Sequence, residues 1–344
     1  MPCMTQIGKL TIDAPFFQAG LAGYSDTAMR LVARKHGCPL CVTEALLDQF
    51  LINGGKALVQ AEIDPDDHPI VGQLMGSNPE DIAKGCKILV KLGYDIVDIN
   101  LACPVKKIRK KARGGHLLSE PDTAIDILKA VKQAVGDDVP LTVKLRRGTD
   151  DSAVATSNFH KLFQAVIDQG FAGAVVHGRS VTQKYIGPSR WSFLKSLVDE
   201  YGQTPNFNIG GSGDIWDAHD IFRMIAHTGV RLVSVARGCI GNPWIFQQAR
   251  LLMDNPDADP TSLAPTIDQQ RQVLLEHFEL SQRIHGERMA SLMMRKFGIK
   301  FSVHHPAPMD VKDAFIKVKC LDDWHGVLEA HYGLSQSQDC VAAL

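Results

Sequence analysis

No apolar run in the chain approaches the roughly 18 residues that would suggest a membrane-spanning helix. The first ten residues, MPCMTQIGKL, lack the apolar core of a secretory signal. Both absences point to a soluble, cytoplasmic protein. An excess of one charge is also missing, since 37 Lys and Arg stand against 38 Asp and Glu, for a formal net charge of −1. Such a balance gives no global pull toward nucleic acid or anionic lipid, so any surface for a polyanion must be local. There is no internal repeat and no low-complexity segment. Eight cysteines (Cys3, Cys38, Cys41, Cys86, Cys103, Cys239, Cys320, Cys340) are scattered over 344 residues, as expected of reduced thiols and not of a disulfide scaffold. Cys38-Pro-Leu-Cys41 has metal-like spacing but no second pair follows, and His304-His305 reads as a loop pair, so no metal site is expected.

What is present is the composition of an ordinary globular protein, 45% hydrophobic and 22% charged. Eight short apolar or β-branched runs recur: Phe16 to Leu21, Leu40 to Thr43, Ile70 to Leu74, Ile96 to Asn100, Leu141 to Lys144, Ala174 to His177, Phe207 to Ile209 and Leu232 to Ala236. Amphipathic stretches such as Asp26 to His36, Pro79 to Leu92, Pro121 to Val135, Asn158 to Gln169, Trp216 to His227 and Trp244 to Met253 lie between or after them. Strand alternating with helix implies a parallel sheet, and eight units in about 250 residues fit a (β/α)8 TIM barrel better than a doubly wound sheet. The barrel is expected over 1–253. A stretch rich in Pro and Asp, 254–265, reads as a linker, and 266–344 as a small C-terminal helical domain. Helical spacing there runs through Val273, Leu274, His277, Phe278 and Ser281, then Met289, Leu292, Met293 and Phe297, with a loop at His305 to Pro308.

Functional groups of such a barrel gather at the C-terminal ends of its strands. Those ends are polar here: Gln73, then Asn100 and Cys103, Lys144 and Arg146, His177 and Arg179, Gly210-Gly-Ser-Gly-Asp214, and Arg237-Gly238. A Gly-rich turn after the seventh strand and an Arg-Gly after the eighth suit a phosphate. The Gln73 amide and the Lys144 ammonium suit the ring of a flavin, so FMN fits better than NAD. An ordinary cysteine thiol titrates near about 8.5 and keeps its proton at neutral pH, which fits Cys103 for a general acid. Behind it Pro104 stiffens the turn, and Gly114-Gly115 allows a long loop to fold over the mouth. That loop carries Lys106, Lys107, Arg109, Lys110, Lys111 and Arg113 without an acid, and from Arg283 to Lys319 eight basic residues outnumber three acids. Two local basic patches on a neutral chain suggest a charged groove for RNA.

Together these residues resemble the tRNA-dihydrouridine synthase family. The likeness runs through Ala22-Gly-Tyr-Ser-Asp26, Asp98-Ile-Asn100 with Cys103-Pro104 and Gly114-Gly-His-Leu-Leu118, Val143-Lys-Leu-Arg146, His177-Gly-Arg179 and Ala236-Arg-Gly238. The resemblance implies FMN in the barrel mouth, NADPH as electron donor, hydride transfer to C6 of a uracil, and protonation of C5 by Cys103. It assigns Gly20, Leu21, Ala22, Gln73, Lys144, His177, Ser212, Gly213, Asp214, Ala236 and Arg237 to flavin binding. Asn100, Arg179, Lys106, Lys107, Lys110 and Lys111 would face nucleotide and RNA, most simply tRNA, with no obligate protein partner. Gly20 stands where the family usually has Pro, Ser212 where it usually has Asn, and Arg295-Lys-Phe297 lacks the family's common histidine. Two other readings are a barrel flavoenzyme acting on a small molecule such as a free pyrimidine, and a non-catalytic RNA-binding protein. The first has no use for six cations at the mouth; the second predicts loss of Cys103 or Lys144, and both are present.

Overall fold

A computed structural model describes residues 4–333 apart from 56, 57, 59 and 60. Cys3, Cys340 and the side chain of Arg109 lie outside the described residues. By packing, the described chain falls into two compact units, one of residues 4–25 and 38–236, the other of 26–37 and 237–333.

The first unit opens with an antiparallel hairpin, β1 (Thr5–Ile7) against β2 (Leu10–Ile12), which the sequence reading did not anticipate. Eight parallel strands follow: β3 (Phe16–Gln18), β4 (Cys41–Val42), β6 (Ile70–Met75), β7 (Ile96–Leu101), β8 (Leu141–Arg146), β9 (Gly173–His177), β10 (Asn208–Ser212) and β11 (Leu232–Val235). Each pairs with the next, and β11 returns to β3, closing a (β/α)8 TIM barrel. A two-residue strand, β5 (Leu46–Leu47), extends the edge of β6. All eight expected runs are strands, because apolar residues buried on both faces have no other stable place in such a chain.

Helices between the strands begin where capping chemistry begins. Helix α1 (Thr27–Lys35) is capped by Asp26, which accepts from Met29 N, and α2 (Asp48–Asn53) is short. Helix α3 (Pro79–Leu92) starts with Asn78 accepting from the N–H of Glu80 and Asp81, has Pro79 at its first position, and stops at Gly93 in the left-handed region. The others are α4 (Lys106–Arg109), α5 (Pro121–Val135), α6 (Ala153–Asp168), α7 (Trp191–Tyr201) and α8 (Ala218–Thr228). Helix α7 lies outside the amphipathic stretches named above. Gly210 and Gly211, expected in a turn, belong to β10; they are glycines because a Cβ at 211 would strike the Met224 sulfur and one at 210 would crowd Val175.

The second unit contains α1, α9 (Trp244–Asp254), α10 (Ile267–His285), α11 (Glu287–Phe301), α12 (Pro308–Lys317) and α13 (Leu321–Tyr332). Residues 254–265 do not separate it from α9. The Arg250 guanidinium donates to the Gly37 carbonyl, Lys35 pairs with Glu276, and the Trp244 ring lies 5.6 Å from His36 and 5.2 Å from Phe301. On α10 the expected face, Val273, Leu274, His277, Phe278 and Ser281, is buried. On α11 the buried stripe runs instead through Ala290, Ser291, Met294, Phe297 and Phe301, and Met289 is exposed. Gly298 on that stripe admits the Phe315 ring, which a Cβ would strike. Among the described residues no helix is long and apolar enough to cross a membrane, and none of the six described cysteines is in a disulfide.

Candidate functional site

Period-two alternation on the parallel strands brings the predicted residues together. Gln73 pairs with Asp98 across β6 and β7, Asn100 with Lys144 across β7 and β8, and His177 with Arg146 and with Ser212 on its two sides. Apart from Asp98, which is the third of six residues in β7, they lie toward the C-terminal ends of their strands, as the barrel requires.

Cys103 follows β7 and is partly exposed. Its main chain is held from two directions. Asn100 Oδ1 accepts from the N–H of Ala102 at 3.0 Å and of Cys103 at 3.1 Å, and the Cys103 carbonyl accepts from Gly115 N at 3.1 Å. Gly114 has φ +59°, and a Cβ there would lie 2.9 Å from the Cys103 Cβ, so glycine is needed for conformation and for space. The Arg146 guanidinium, buried beneath, donates to the carbonyls of Ala102, Ser180 and Lys184 at 3.0, 2.9 and 2.8 Å. One side chain thus joins the Cys103 loop to the loop after β9.

Beside this, Gln73 Nε2 donates to Asp98 Oδ2 at 2.9 Å, and Gln73 Oε1 accepts from Asn100 Nδ2 at 2.7 Å. Thr142 donates to Asp98 Oδ1 at 2.7 Å. Burial pushes the Asp98 carboxyl up to about 6, against the opposing hydrogen bonds from Thr142 and Gln73 and the charge of Lys144. Burial, with Arg146 adding to it and Asp98 opposing it, pushes the Lys144 ammonium down to about 7. A cation of this kind is held ready to answer negative charge that arrives with a ligand.

Gly20 follows β3 and sits against this cluster: a Cβ on it would strike the Thr43 carbonyl and lie 3.4 Å from Gln73 Oε1. Leu21 N donates to Ser25 Oγ at 2.8 Å, which fixes the turn that also carries Ala22. Across the mouth His177 Nδ1 lies 3.3 Å from Ser212 Oγ. Gly213 has φ +112°, and a Cβ there would meet Ser189 Oγ at 2.5 Å and His177 Cε1 at 2.8 Å. Ala236 ends the first unit after β11, and Arg237 opens a 3-10 turn in the second.

Two basic residues turn inward onto carboxylates. Arg179, expected to face the nucleotide, is 3% exposed; its guanidinium grips both oxygens of Asp214 at 2.6 and 2.8 Å and the Gly187 carbonyl. The Asp214 carboxylate also accepts from Ser189 N at 2.7 Å, so this pair ties the loop after β9 to the loop after β10. Arg113, counted with the basic run, turns inward to the buried Asp48 at 3.4 Å. Lys106, Lys107, Lys110 and Lys111 are exposed, and among the described residues none of them pairs with a carboxylate. Asp98 and Thr142 carried no assignment from the sequence. The signal was available: Asp98 stands two residues before Asn100 and Thr142 two before Lys144, so each shares a strand face with a residue already singled out.

A family model described as Dihydrouridine synthase (Dus) matches residues 17–313. A probable tRNA-dihydrouridine synthase of Treponema pallidum (strain Nichols) is 31% identical over 306 residues, 86% of each chain. The tRNA-dihydrouridine synthase B of Shewanella oneidensis is 31% identical over 293 residues, 85% of this chain and 87% of that one. Among solved structures, histamine dehydrogenase from Rhizobium sp. 4-9 is similar with a TM-score of 0.57 at 13% identity, covering 80% of this chain and 50% of that one. The 6-hydroxypseudooxynicotine amine oxidase of Pseudomonas geniculata N1 is similar with a TM-score of 0.58 at 12% identity, covering 79% and 52%. The chain spans about half the length of these two, and the likeness is one of fold.

Proposed function

The chain belongs to the dihydrouridine synthase family, and from that premise we propose that it is an FMN-dependent oxidoreductase that reduces a uridine in tRNA to 5,6-dihydrouridine, with NADPH as electron donor. The observation that carries this reading is the meeting of a partly exposed thiol, Cys103, with Lys144, Gln73 and Asn100 at one end of the barrel.

The residues fit a flavin mononucleotide. Gln73 has spent one N–H on Asp98 and one lone pair on Asn100, and keeps one of each for the donor and acceptor edge of the ring. Lys144 can answer the negative charge of a reduced ring. Gly20 and Gly213 stand where a Cβ would collide with the protein's own neighbouring atoms, so both turns need glycine to hold their main chain in place. Leu21 and Ala22 would line the ring, while His177, Ser212, Ala236 and the main chain of Gly213 and Asp214 would hold the ribityl chain and phosphate.

When bound, the flavin supplies the hydride that reduces C6 of the base. Cys103, its main chain held by Asn100 and Gly115, would deliver a proton to C5 and be reprotonated from solvent. Asn100 orients the thiol through its main chain. The base must leave its stack to arrive here, which is least costly in a tRNA loop. Lys106, Lys107, Lys110 and Lys111 attract the phosphates around it, while Arg179 acts from beneath through Asp214.

Nucleoside mass spectrometry of tRNA and ribosomal RNA, fractionated from cells with and without the gene, tests the reading. Loss of dihydrouridine from the tRNA fraction is expected. Unchanged dihydrouridine in every fraction, in a strain lacking any other synthase, would instead direct attention to free pyrimidines.

A further inference from the structure

Asp98 is 4% exposed, a position where a carboxylate is costly unless donors meet its oxygens. Donors do meet them: the Thr142 hydroxyl at 2.7 Å on Oδ1 and Gln73 Nε2 at 2.9 Å on Oδ2. An ionised carboxylate only accepts, so Gln73 must turn its Nε2 toward Asp98 and its Oε1 away. That Oε1 accepts from Asn100 Nδ2 at 2.7 Å, which leaves Asn100 Oδ1 as the acceptor for the main-chain N–H of Ala102 and Cys103. A side-chain amide taken alone has two orientations of similar shape. With a pure acceptor at the head of the chain, only one orientation of each amide satisfies every bond.

We propose that Asp98 is a positioning residue: by accepting from Gln73 it sets the direction of the hydrogen-bond chain Asp98–Gln73–Asn100, and with it the edge of the Gln73 amide offered to the cofactor and the oxygen that holds the Cys103 backbone. Its effect on the cofactor rests on the flavin reading above; its effect on the chain of amides does not.

Exchanging the two ends tests the direction. Asn100→Asp alone places carboxylates at both ends of one amide, which can donate to only one of them. The unfolding midpoint of the full-length, cofactor-free protein is then expected to fall by roughly 5 °C. Adding Asp98→Asn restores one donor end and one acceptor end in reverse order. The amide at 98 donates to Gln73 Oε1, Gln73 Nε2 donates to the carboxylate at 100, and that carboxylate still accepts from Ala102 and Cys103.

The double variant is therefore expected to regain most of the lost midpoint, a second buried substitution repairing the first. Its FMN affinity, titrated by flavin fluorescence, is expected to be about tenfold weaker than wild type, because Gln73 now presents its edges reversed. A midpoint for the double variant at or below that of Asn100→Asp overturns the proposal, since a carboxylate that only fills space cannot rescue. A recovered midpoint with wild-type FMN affinity overturns its cofactor half. Wild-type protein that binds no FMN removes the flavin reading instead, and the midpoints still decide the role of Asp98.

Discussion

Buried polar groups are treated differently in the two units of this protein. At the strand ends of the barrel unit they are drawn into directed hydrogen bonds: Asp98 to Gln73 to Asn100, Arg146 to three carbonyls, Arg179 to Asp214. In the helical unit Gln270 Oε1, His277 Nε2, Ser281 Oγ, Trp324 Nε1 and the Tyr332 hydroxyl are buried and meet no partner among the described residues. Rings pack around them, His277 against Phe297 at 4.4 Å, Phe278 stacked on Trp324 at 5.0 Å and Phe315 beside Trp324 at 5.3 Å, although directed bonds occur there too, Gln270 Nε2 donating to the carbonyls of Pro265 and His304 at 3.1 and 2.9 Å. Directional bonds fix atoms to tenths of an ångström, whereas packing fixes a shape. The division is one of degree, since Gln18 Nε2, Arg113 Nε and Arg179 Nη1 in the barrel unit are also buried and meet no partner among the described residues.

The largest expected effect breaks the chemistry and leaves the scaffold. Cys103→Ala should slow base reduction by roughly 10²-fold or more while flavin absorbance of the purified protein persists, because general acid catalysis contributes on that order. Wild-type turnover in single-turnover kinetics would remove Cys103 from the reaction.

The helical unit should show its character in acid. Burial pushes the His277 imidazole down to about 4, from 6.5. Between those values an unfolded chain binds a proton that the folded one refuses. Stability is therefore full above pH 6.5 and declines as pH falls toward 4, by about 3 kcal/mol for this group. Urea unfolding at pH 7 and pH 5 reads the loss, and His277→Phe should flatten it; an unchanged slope in that variant would assign the acid sensitivity elsewhere.

A smaller effect separates surface charge from the mouth. Replacing Lys106, Lys107, Lys110 and Lys111 by Ser should reduce the salt slope of tRNA binding by roughly three and weaken affinity about tenfold. Flavin binding should not change, and an unaltered slope would place the RNA elsewhere. The smallest change is a single methyl group. Gly114→Ala imposes a side chain at φ +59° against the Cys103 Cβ, costing about 1–2 kcal/mol. The rate of reduction should fall with little change in flavin affinity; equal loss of both would mean that Gly114 serves the fold and not the cysteine.

The barrel was legible because eight apolar runs are buried on both faces and cannot be hidden otherwise, and helices such as α3 and α5 announce themselves by Asn-Pro or Glu-Pro starts. Strand ends gave Gln73, Asn100, Cys103, Lys144 and His177 by position alone. The inward turn of Arg179 and Arg113 was not legible, since it depends on Asp214 and Asp48, which are 35 and 65 residues away in sequence. Nor was the placement of α1 with the C-terminal helices, which follows from partners such as His285 on Asp26 and Glu276 on Lys35. On α11 the expected stripe favoured large apolar residues and overlooked Ala290 and Gly298, small residues that are buried because neighbours come close.

The most direct measurement is reconstitution. Purified protein is loaded with FMN, given NADPH and an unmodified tRNA transcript, and the digested nucleosides are read by mass spectrometry. Dihydrouridine should appear with wild type at a uridine of a tRNA loop and be nearly absent with Cys103→Ala. Transcript that stays fully uridine while the bound flavin is reduced and reoxidised would contradict the assignment of RNA as the substrate.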